Sequence, residues 1–186
     1  MKSHRKFGMY ARRTLSPSGL PALSPRQIRR SSAITRRVPA QTPQLAQYRL
    51  LRTIGTGTFA RVRLARHKAT DQVLVLKIMK KSLILQKRQT EHVTNERRIL
   101  TELSNPFIVK AQSAFQDSKN LYLVLEYIPG GELYTQLRLK GKFSLDASRF
   151  YAAEIACVFS YLHTRRIMYR DLKPENVLIK RDGHLK

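Results

Sequence analysis

The stretch Tyr169-Arg170-Asp171-Leu172-Lys173-Pro174-Glu175-Asn176 is the most specific feature of the sequence. It brings a carboxylate, an ammonium and an amide together within one short segment that Pro174 closes. Taken alone, such a stretch is also compatible with a basic surface turn. A glycine-containing loop, a lysine in an apolar strand and a glutamate on a helix precede it in the chain. The ordered set of four features indicates a functional loop.

Composition limits the classes of protein to consider. The 186 residues include 36 Lys and Arg against 12 Asp and Glu, a formal charge of +24, and 42% are apolar, which is enough for a packed core. So basic a chain raises nucleic acid or an anionic membrane as partners. Zinc-binding patterns, RNA-binding signatures and interleaved aromatics are absent, so we expect no nucleic-acid partner. No apolar run is long enough to span a bilayer, and the single cysteine suits a reducing compartment.

Residues 1–47 predict a disordered basic tail. They hold ten Lys or Arg, no acidic residue and five prolines, and they lack apolar periodicity. We expect a cytoplasmic location, with the nucleus as a further compartment. An acid-free start rich in Arg and Ser is also typical of a transit peptide, although the prolines disfavour a long amphipathic helix. Mitochondrial targeting therefore stays open as the alternative.

A glycine-containing turn lies inside a predicted hairpin over residues 48–66. Residues 54–62 read Ile-Gly-Thr-Gly-Thr-Phe-Ala-Arg-Val. Gly55 and Gly57 allow the backbone to approach a phosphate group, which exposed N–H groups can bind. An ordinary tight hairpin is the alternative interpretation.

Lys77 and Glu96 are charged residues at positions that pattern as buried. Lys77 lies within the β-prone run of residues 72–79, where a lysine must be edge-exposed or paired. A helix is predicted over residues 90–103, and on it Glu96 shares one face with apolar residues. The pattern predicts a cationic partner for Glu96, and Lys77 is the candidate.

The rest of the chain continues as alternating short elements and then helices. Further strands are predicted over residues 106–110 and 121–127. A break follows at 129–131, and helices are predicted over 133–139 and 145–163. Ser144 is the expected N-cap of the last helix. That helix is apolar nearly all round, which is typical of a helix buried on most faces. The residues that follow it are too few to cover it.

From Tyr48 to Lys186 the chain resembles the catalytic subunits of cyclic-AMP-dependent protein kinase, within the basophilic Ser/Thr kinases. The resemblance rests on residues 94–100, 120–127, 130–133, 149–153 and 169–176, with Tyr169 where most kinases carry His. It implies an α+β, protein-kinase-like bilobal fold with a complete N-lobe, made of an antiparallel sheet plus one helix, and an incomplete helical C-lobe. The implied domains are a tail (1–47), an N-lobe (48–128) and a hinge with a partial C-lobe (129–186).

The resemblance implies specific roles for individual residues. Asp171 would orient and deprotonate the substrate hydroxyl, Lys173 would neutralise charge on the transferred phosphoryl group, and Asn176 would hold magnesium. Leu125 would stand at the back of the adenine pocket, and Val75 replaces the usual small residue that packs on the base. The implied ATP-binding residues are Ile54, Gly55, Thr56, Gly57, Thr58, Phe59, Ala60, Arg61, Val62, Lys77, Glu96, Glu126, Ile128, Glu132 and Leu178.

Substrates and partners follow from the same resemblance. Glu132 and Glu175 would recognise basic residues of a peptide by charge-assisted hydrogen bonds, so the implied substrates are Arg-rich Ser/Thr peptides or proteins. The implied cofactors are ATP and Mg²⁺. A cyclic-AMP-binding regulatory subunit is the implied protein partner.

One departure from the family bears on activity. The Asp-Phe-Gly motif, whose Asp holds magnesium, follows the loop Asn by about a dozen residues in this family, and the sequence has no such tripeptide. We expect the 186 residues to be a partial sequence that is inactive by itself. The alternative is a noncatalytic truncated kinase that acts as a nucleotide- or partner-binding module.

Overall fold

A five-stranded antiparallel sheet forms the first half of the fold. The computed structural model describes residues 42–186 and, in the tail, the backbone of residues 12–13, so the prediction of disorder for the rest of the tail lies outside the described residues. A short strand in the tail, β1 (Arg12–Arg13), lies antiparallel to β7 (Ile167–Met168). The strands of the large sheet are β2 (Tyr48–Thr56), β3 (Ala60–His67), β4 (Val73–Lys80), β5 (Ala111–Gln116) and β6 (Asn120–Glu126). Their order across the sheet is β2-β3-β4-β6-β5.

Helices cover the sheet and make up most of the second half. They are α1 (Pro43–Ala46), α2 (Lys81–Gln86), α3 (Thr90–Glu102), α4 (Leu133–Lys140) and α5 (Leu145–Thr164), followed by a 3₁₀ turn at Pro174–Asn176. The predicted N-cap is confirmed, since the Ser144 hydroxyl accepts a hydrogen bond from the Ala147 N–H at 3.2 Å. Helix α2 was not predicted, and its N-terminus has no side-chain cap that would mark it in the sequence.

Alternation along β4 divides the sheet into two faces. Leu74 and Leu76 point to the outer face, where they pack with Leu45, Tyr122 and Val124. On the other side, a second cluster joins Met79 of β4 to Val93 and Leu100 of α3. Val75 and Lys77 take the same side of β4 as Met79, so this side carries both apolar contacts to the helix and a charged residue. The predicted α+β architecture is confirmed.

The strand predicted over residues 106–110 is wrong. Those residues form turns, and the edge strand β5 begins at Ala111 instead. The Asn105 side chain accepts a hydrogen bond from the Phe107 N–H at 2.9 Å, and its carbonyl accepts one from the Ile108 N–H at 3.2 Å. The Asn-Pro turn therefore uses the backbone donors that a strand would need. The apolar residue Ile108 packs in the core from this turn, which explains its strand-like hydrophobicity.

Helix α1 lies inside the segment assigned to the tail, so order begins before residue 48. The Thr42 hydroxyl caps the helix by accepting a hydrogen bond from the Leu45 N–H at 3.2 Å. Leu45 is buried in the outer-face cluster of the sheet. A single buried leucine among polar neighbours gives no periodic signal, which is why the pattern missed it.

Helix α5 has the incomplete cover that its sequence predicted. Within it only Glu154 and Leu162 are buried, whereas Leu145 and Phe150 are 64% and 44% exposed. The Glu154 carboxylate accepts hydrogen bonds from the Leu185 N–H at 2.7 Å and from the His184 ring. The hairpin of residues 178–186 is thereby fixed against one side of the helix.

Leu45→Ala tests whether α1 belongs to the folded domain. Removing a buried leucine should lower the free energy of unfolding by about 2–3 kcal/mol, because the transfer and cavity terms add. Urea unfolding of the whole chain measures the loss. The matched control is Gln44→Ala on the exposed side of the same helix, which should stay within about 0.5 kcal/mol of the parent. Equal stabilities for the two variants would contradict the packing of α1.

Candidate functional site

A buried ion pair joins the sheet to helix α3. Lys77 on β4 lies opposite Val62 on β3 and Leu123 on β6, so it occupies the centre of the sheet. Its Nζ lies 2.6 Å from Oε1 of Glu96, and the two residues are 2% and 8% exposed. The predicted cationic partner of Glu96 is confirmed. A charge-assisted bond at this distance is strong, and both groups depend on it because neither is solvated.

A cleft of about 390 Å³ opens on the side of the sheet that carries this pair. Its size is in the range of small-molecule sites. Apolar side chains from both halves of the chain line it, together with a few charged ones. The predicted residues that line it are Ile54, Val62, Val75, Lys77, Glu96, Leu125, Glu126, Ile128, Glu132, Asn176 and Leu178.

Residues 126–131 form the linker between the two lobes. The linker and the residues just after it are hydrogen-bonded to the segment 177–179, which contains the cleft-lining Leu178 and forms the floor of the cleft. Gly130 donates its N–H to the Ile179 carbonyl at 3.0 Å, and Leu133 donates its N–H to the Val177 carbonyl at 2.8 Å. A Cβ at Gly130 would lie 2.3 Å from the Ile179 oxygen, so this close approach requires glycine. Glu132, which is buried, pairs with Leu178 in a β-bridge and is thereby held at the cleft.

The loop 169–176 gathers its polar side chains around Asp171. The Lys173 Nζ lies 2.9 and 3.0 Å from the two carboxylate oxygens. The Asn176 amide donates to the Asp171 carbonyl at 2.8 Å and to the Asp171 carboxylate at 2.9 Å. The preceding residue, Arg170, has a φ of +62° and turns the chain sharply at this point. The three residues predicted from this loop are therefore in mutual contact.

Tyr169 is the first residue of this loop, and it borders the cleft. Burial raises the pKa of its hydroxyl to about 12, and the charge of Asp171 adds to the shift. The hydroxyl is therefore neutral at physiological pH. The phenol supplies an uncharged polar group next to Asp171 and Asn176, and its ring packs toward Phe159 of α5.

Only the two ends of the glycine-containing loop border the cleft, and the predicted roles of its residues stay predictions. Ile54 and Val62, at its two ends, line the cleft. Between them the chain turns through a hydrogen bond from the Gly57 N–H to the Ala60 carbonyl at 2.7 Å. Phe59 and Ala60 pack against the cluster under the sheet. The predicted residues of this loop that do not border the cleft are Gly55, Thr56, Gly57, Thr58, Phe59, Ala60 and Arg61. Three predicted residues of the loop 169–176 do not border it either, namely Asp171, Lys173 and Glu175.

Eight cleft-lining residues were not singled out as site residues from the sequence. They are Arg52, Leu100, Val109, Tyr127, Pro129, Gly131, Thr135 and Tyr169. Leu100 carried a usable signal, since it lies four positions after Glu96 on the same helix face. Val109 follows the Asn-Pro turn that was mistaken for a strand. Arg52 and Thr135 carry no pattern that distinguishes them from surface residues.

Magnesium fits the described residues only in part. Asn176 offers a side-chain oxygen, because its amide nitrogen is the atom that bonds to Asp171. The Asp171 carboxylate is engaged by Lys173 and Asn176. Among residues 42–186 no group of three or more His, Cys, Asp or Glu side chains could hold a metal ion. The helices of the same part of the chain include none that could cross a membrane.

Known proteins resemble this chain over the whole described region. The family described as "Protein kinase domain" matches residues 48–186. The cAMP-dependent protein kinase catalytic subunit 3 of Drosophila melanogaster is 48% identical over 142 residues, 76% of this chain and 24% of its own length. The cAMP-dependent protein kinase type 3 of Saccharomyces cerevisiae is 44% identical over 142 residues, 76% of this chain and 36% of its own.

A human relative extends the similarity into the tail. The cAMP-dependent protein kinase catalytic subunit PRKX of Homo sapiens is 42% identical over 171 residues, 92% of this chain and 46% of its own length. That alignment is longer than the stretch from Tyr48 to Lys186, so it reaches into residues that the sequence analysis placed outside the resemblance. The chain spans between about a quarter and about half of the length of these three relatives.

Removing either member of the buried pair should be strongly destabilising. Glu96→Gln leaves the Lys77 ammonium without a counter-charge, and Lys77→Met leaves the Glu96 carboxylate without one. We expect each change to lower the free energy of unfolding by about 3–5 kcal/mol in urea titrations. The double variant Lys77→Met/Glu96→Gln should recover most of this loss, since it buries no charge.

The exposed pair Arg98–Glu102 on the same helix supplies the control. Arg98→Met should change the free energy of unfolding by less than about 1 kcal/mol, because water already solvates both charges. If the double variant at positions 77 and 96 lost the sum of the two single losses, the two side chains would not be coupled as described.

Proposed function

Because the chain belongs to the protein kinase domain family, we propose that its cleft binds ATP and that its loop 169–176 directs the γ-phosphoryl group to Ser or Thr of basic peptides. One observation carries this proposal above the others. The Lys77–Glu96 pair, the apolar walls and Asn176 all border the same cleft. Phosphate-binding charge, a place for a flat apolar base and a polar loop therefore meet at one site.

The cleft offers each part of the nucleotide a suitable surface. Val62 on the sheet and Leu178 on the floor face the space where an adenine would be held between apolar side chains. Glu96 holds the Lys77 ammonium beside the cleft, where it would attract the nucleotide phosphates. Magnesium, when bound with ATP, supplies charge neutralisation at those phosphates, and Asn176 would be one of its ligands.

Asp171 has the surroundings that a catalytic carboxylate needs. Its oxygens accept hydrogen bonds from Lys173 and Asn176, which fix the orientation of the carboxylate. A carboxylate held so would orient the substrate hydroxyl and accept its proton during transfer. Lys173, about one third exposed, would stabilise negative charge on the moving phosphoryl group.

The substrate and partner follow from the relatives' names and from charge. The relatives are cAMP-dependent kinase catalytic subunits, and we propose the same Ser/Thr specificity and a cyclic-AMP-binding regulatory partner for the protein. Glu132 at the cleft and Glu175 beside the loop would select Arg-rich peptides. For these 186 residues by themselves we propose nucleotide binding without turnover, because the sequence holds no Asp-Phe-Gly motif.

Nucleotide binding tests the proposal directly. Calorimetric titration of the whole chain with ATP should give saturable binding. Lys77→Arg should weaken it about tenfold or more, because the guanidinium replaces a compact ammonium while still opposing Glu96 and preserving the fold. Lys80→Met, at an exposed position of the same strand, is the control and should bind as the parent does. Absence of binding in the parent, or equal binding by Lys77→Arg, would refute the proposed site.

A transfer assay then separates the kinase from a pure binding module. Incubation with labelled ATP and a peptide carrying Arg-Arg upstream of Ser should give no product above the Asp171→Asn background for these 186 residues. A protein of this family that continues into an Asp-Phe-Gly segment should phosphorylate the same peptide, and replacing the peptide's arginines with alanine should lower kcat/KM. Turnover by the 186 residues themselves would contradict the binding-only proposal.

A further inference from the structure

Lys186 makes an ion pair that none of the roles above explains. Its Nζ lies 2.9 Å from Oε1 of Glu126, and the two side chains are 10% and 28% exposed. The same oxygen accepts a hydrogen bond from the backbone N–H of Lys110 at 2.6 Å. One carboxylate oxygen is thus shared by an ammonium and an amide at a partly buried position. A pair of this kind is worth more than an exposed surface pair, and its loss leaves a poorly solvated charge.

The three residues belong to three different parts of the fold. Glu126 ends β6, opposite Leu74, and begins the linker between the lobes. Lys110 precedes β5, and its carbonyl accepts the Glu126 N–H at 3.2 Å, so Glu126 is bonded to it through both backbone and side chain. Lys186 lies in the hairpin of the second lobe. Its N–H and carbonyl both pair with Leu178 at 2.8 Å.

Leu178 connects the Lys186–Glu126 ion pair to the cleft, because it is hydrogen-bonded to Lys186. It lies on the floor of the cleft, and the adjacent Ile179 holds Gly130 and Gly131 at the far end of the linker. The linker is therefore anchored to the second lobe at its end by backbone hydrogen bonds and at its start by a side-chain ion pair. Fixing both ends limits the rotation of one lobe against the other more than either contact alone.

We infer that Lys186, Glu126 and the Lys110 backbone form an interlobe tether that fixes the linker between the sheet and the second lobe. In this arrangement Lys186 is a positioning residue, since it acts through Glu126. Lys186 does not line the cleft, whereas Glu126 does, so replacing Lys186 releases the linker without changing a cleft-lining side chain. The tether is a property of the fold, and only its effect on nucleotide affinity rests on the proposed function.

Hydrogen exchange of the whole chain without nucleotide tests the tether. In Lys186→Met the amides of Tyr127, Ile128, Gly130 and Gly131 should exchange at least about threefold faster, because a local opening that the ion pair opposed becomes easier. Glu126→Gln should give the same acceleration, and the double variant should add nothing to it. Lys186→Arg keeps a cation and should restore slow exchange.

Lys180→Met is the matched control, because the same substitution removes a lysine that pairs with Asp182 in the same hairpin but not with the linker. It should leave exchange of residues 127–131 unchanged. The tether is refuted if Lys186→Met leaves linker exchange as in the parent. It is also refuted if exchange accelerates equally through β3, β4 and β6, which would indicate loss of global stability instead.

An ATP titration of the same variants separates this inference from the proposed function. A preorganised linker lowers the ordering cost of binding, so Lys186→Met should bind ATP about threefold or more weakly than Lys180→Met. If the parent itself bound no ATP, the proposed function would fail while the exchange experiment would still decide the tether. If linker exchange accelerated with ATP affinity unchanged, the tether would stand and its role in positioning the site would be wrong.

Discussion

The buried ion pair between Lys77 and Glu96 holds strand β4 and helix α3 together inside the core. An unpaired ammonium at the centre of a sheet would carry a desolvation penalty of several kcal/mol, so strand β4 and helix α3 have to keep their mutual position. Val93 and Leu100 lie on either side of Glu96 along the helix and pack into the core under the sheet. Apolar packing supplies the stabilisation, and the ion pair determines the register at which it occurs. A charged site can exist inside the core for this reason.

The second lobe meets this sheet through one short linker, and the cleft forms where they meet. Residues that border the cleft come from β2, β4, α3, the linker and the loop after β7, so they are separated by more than a hundred positions in the sequence. Backbone pairing at Gly130 and Ile179 brings the floor of the cleft under the sheet. The loop around Asp171 needs little from the sheet, because its hydrogen bonds to Lys173 and Asn176 are local.

What the sequence predicted well were features with a local or periodic cause. The Lys77–Glu96 pair followed from a charge in an apolar strand and a charge on an apolar helix face. The Ser144 cap and the hairpin 48–66 followed from residue type and alternation. The strand at 106–110 was wrong because the Asn105-Pro106 turn overrides the β propensity of the apolar residues after it. Helix α1 was missed because one residue, Leu45, carries its packing.

Nuclear magnetic resonance of the lysine ammonium groups tests whether Lys77 is buried and paired with Glu96 in solution. In a solution of the ¹⁵N-labelled chain at neutral pH, exposed ammonium protons exchange with water too fast to give a signal. Buried and bonded ammonium groups retain theirs. We expect a persistent Nζ signal that disappears in Lys77→Arg and is lost or broadened in Glu96→Gln. If no persistent signal were removed by Lys77→Arg, Lys77 would be solvated, and the claim that a buried pair organises the sheet, the helix and the cleft would be wrong.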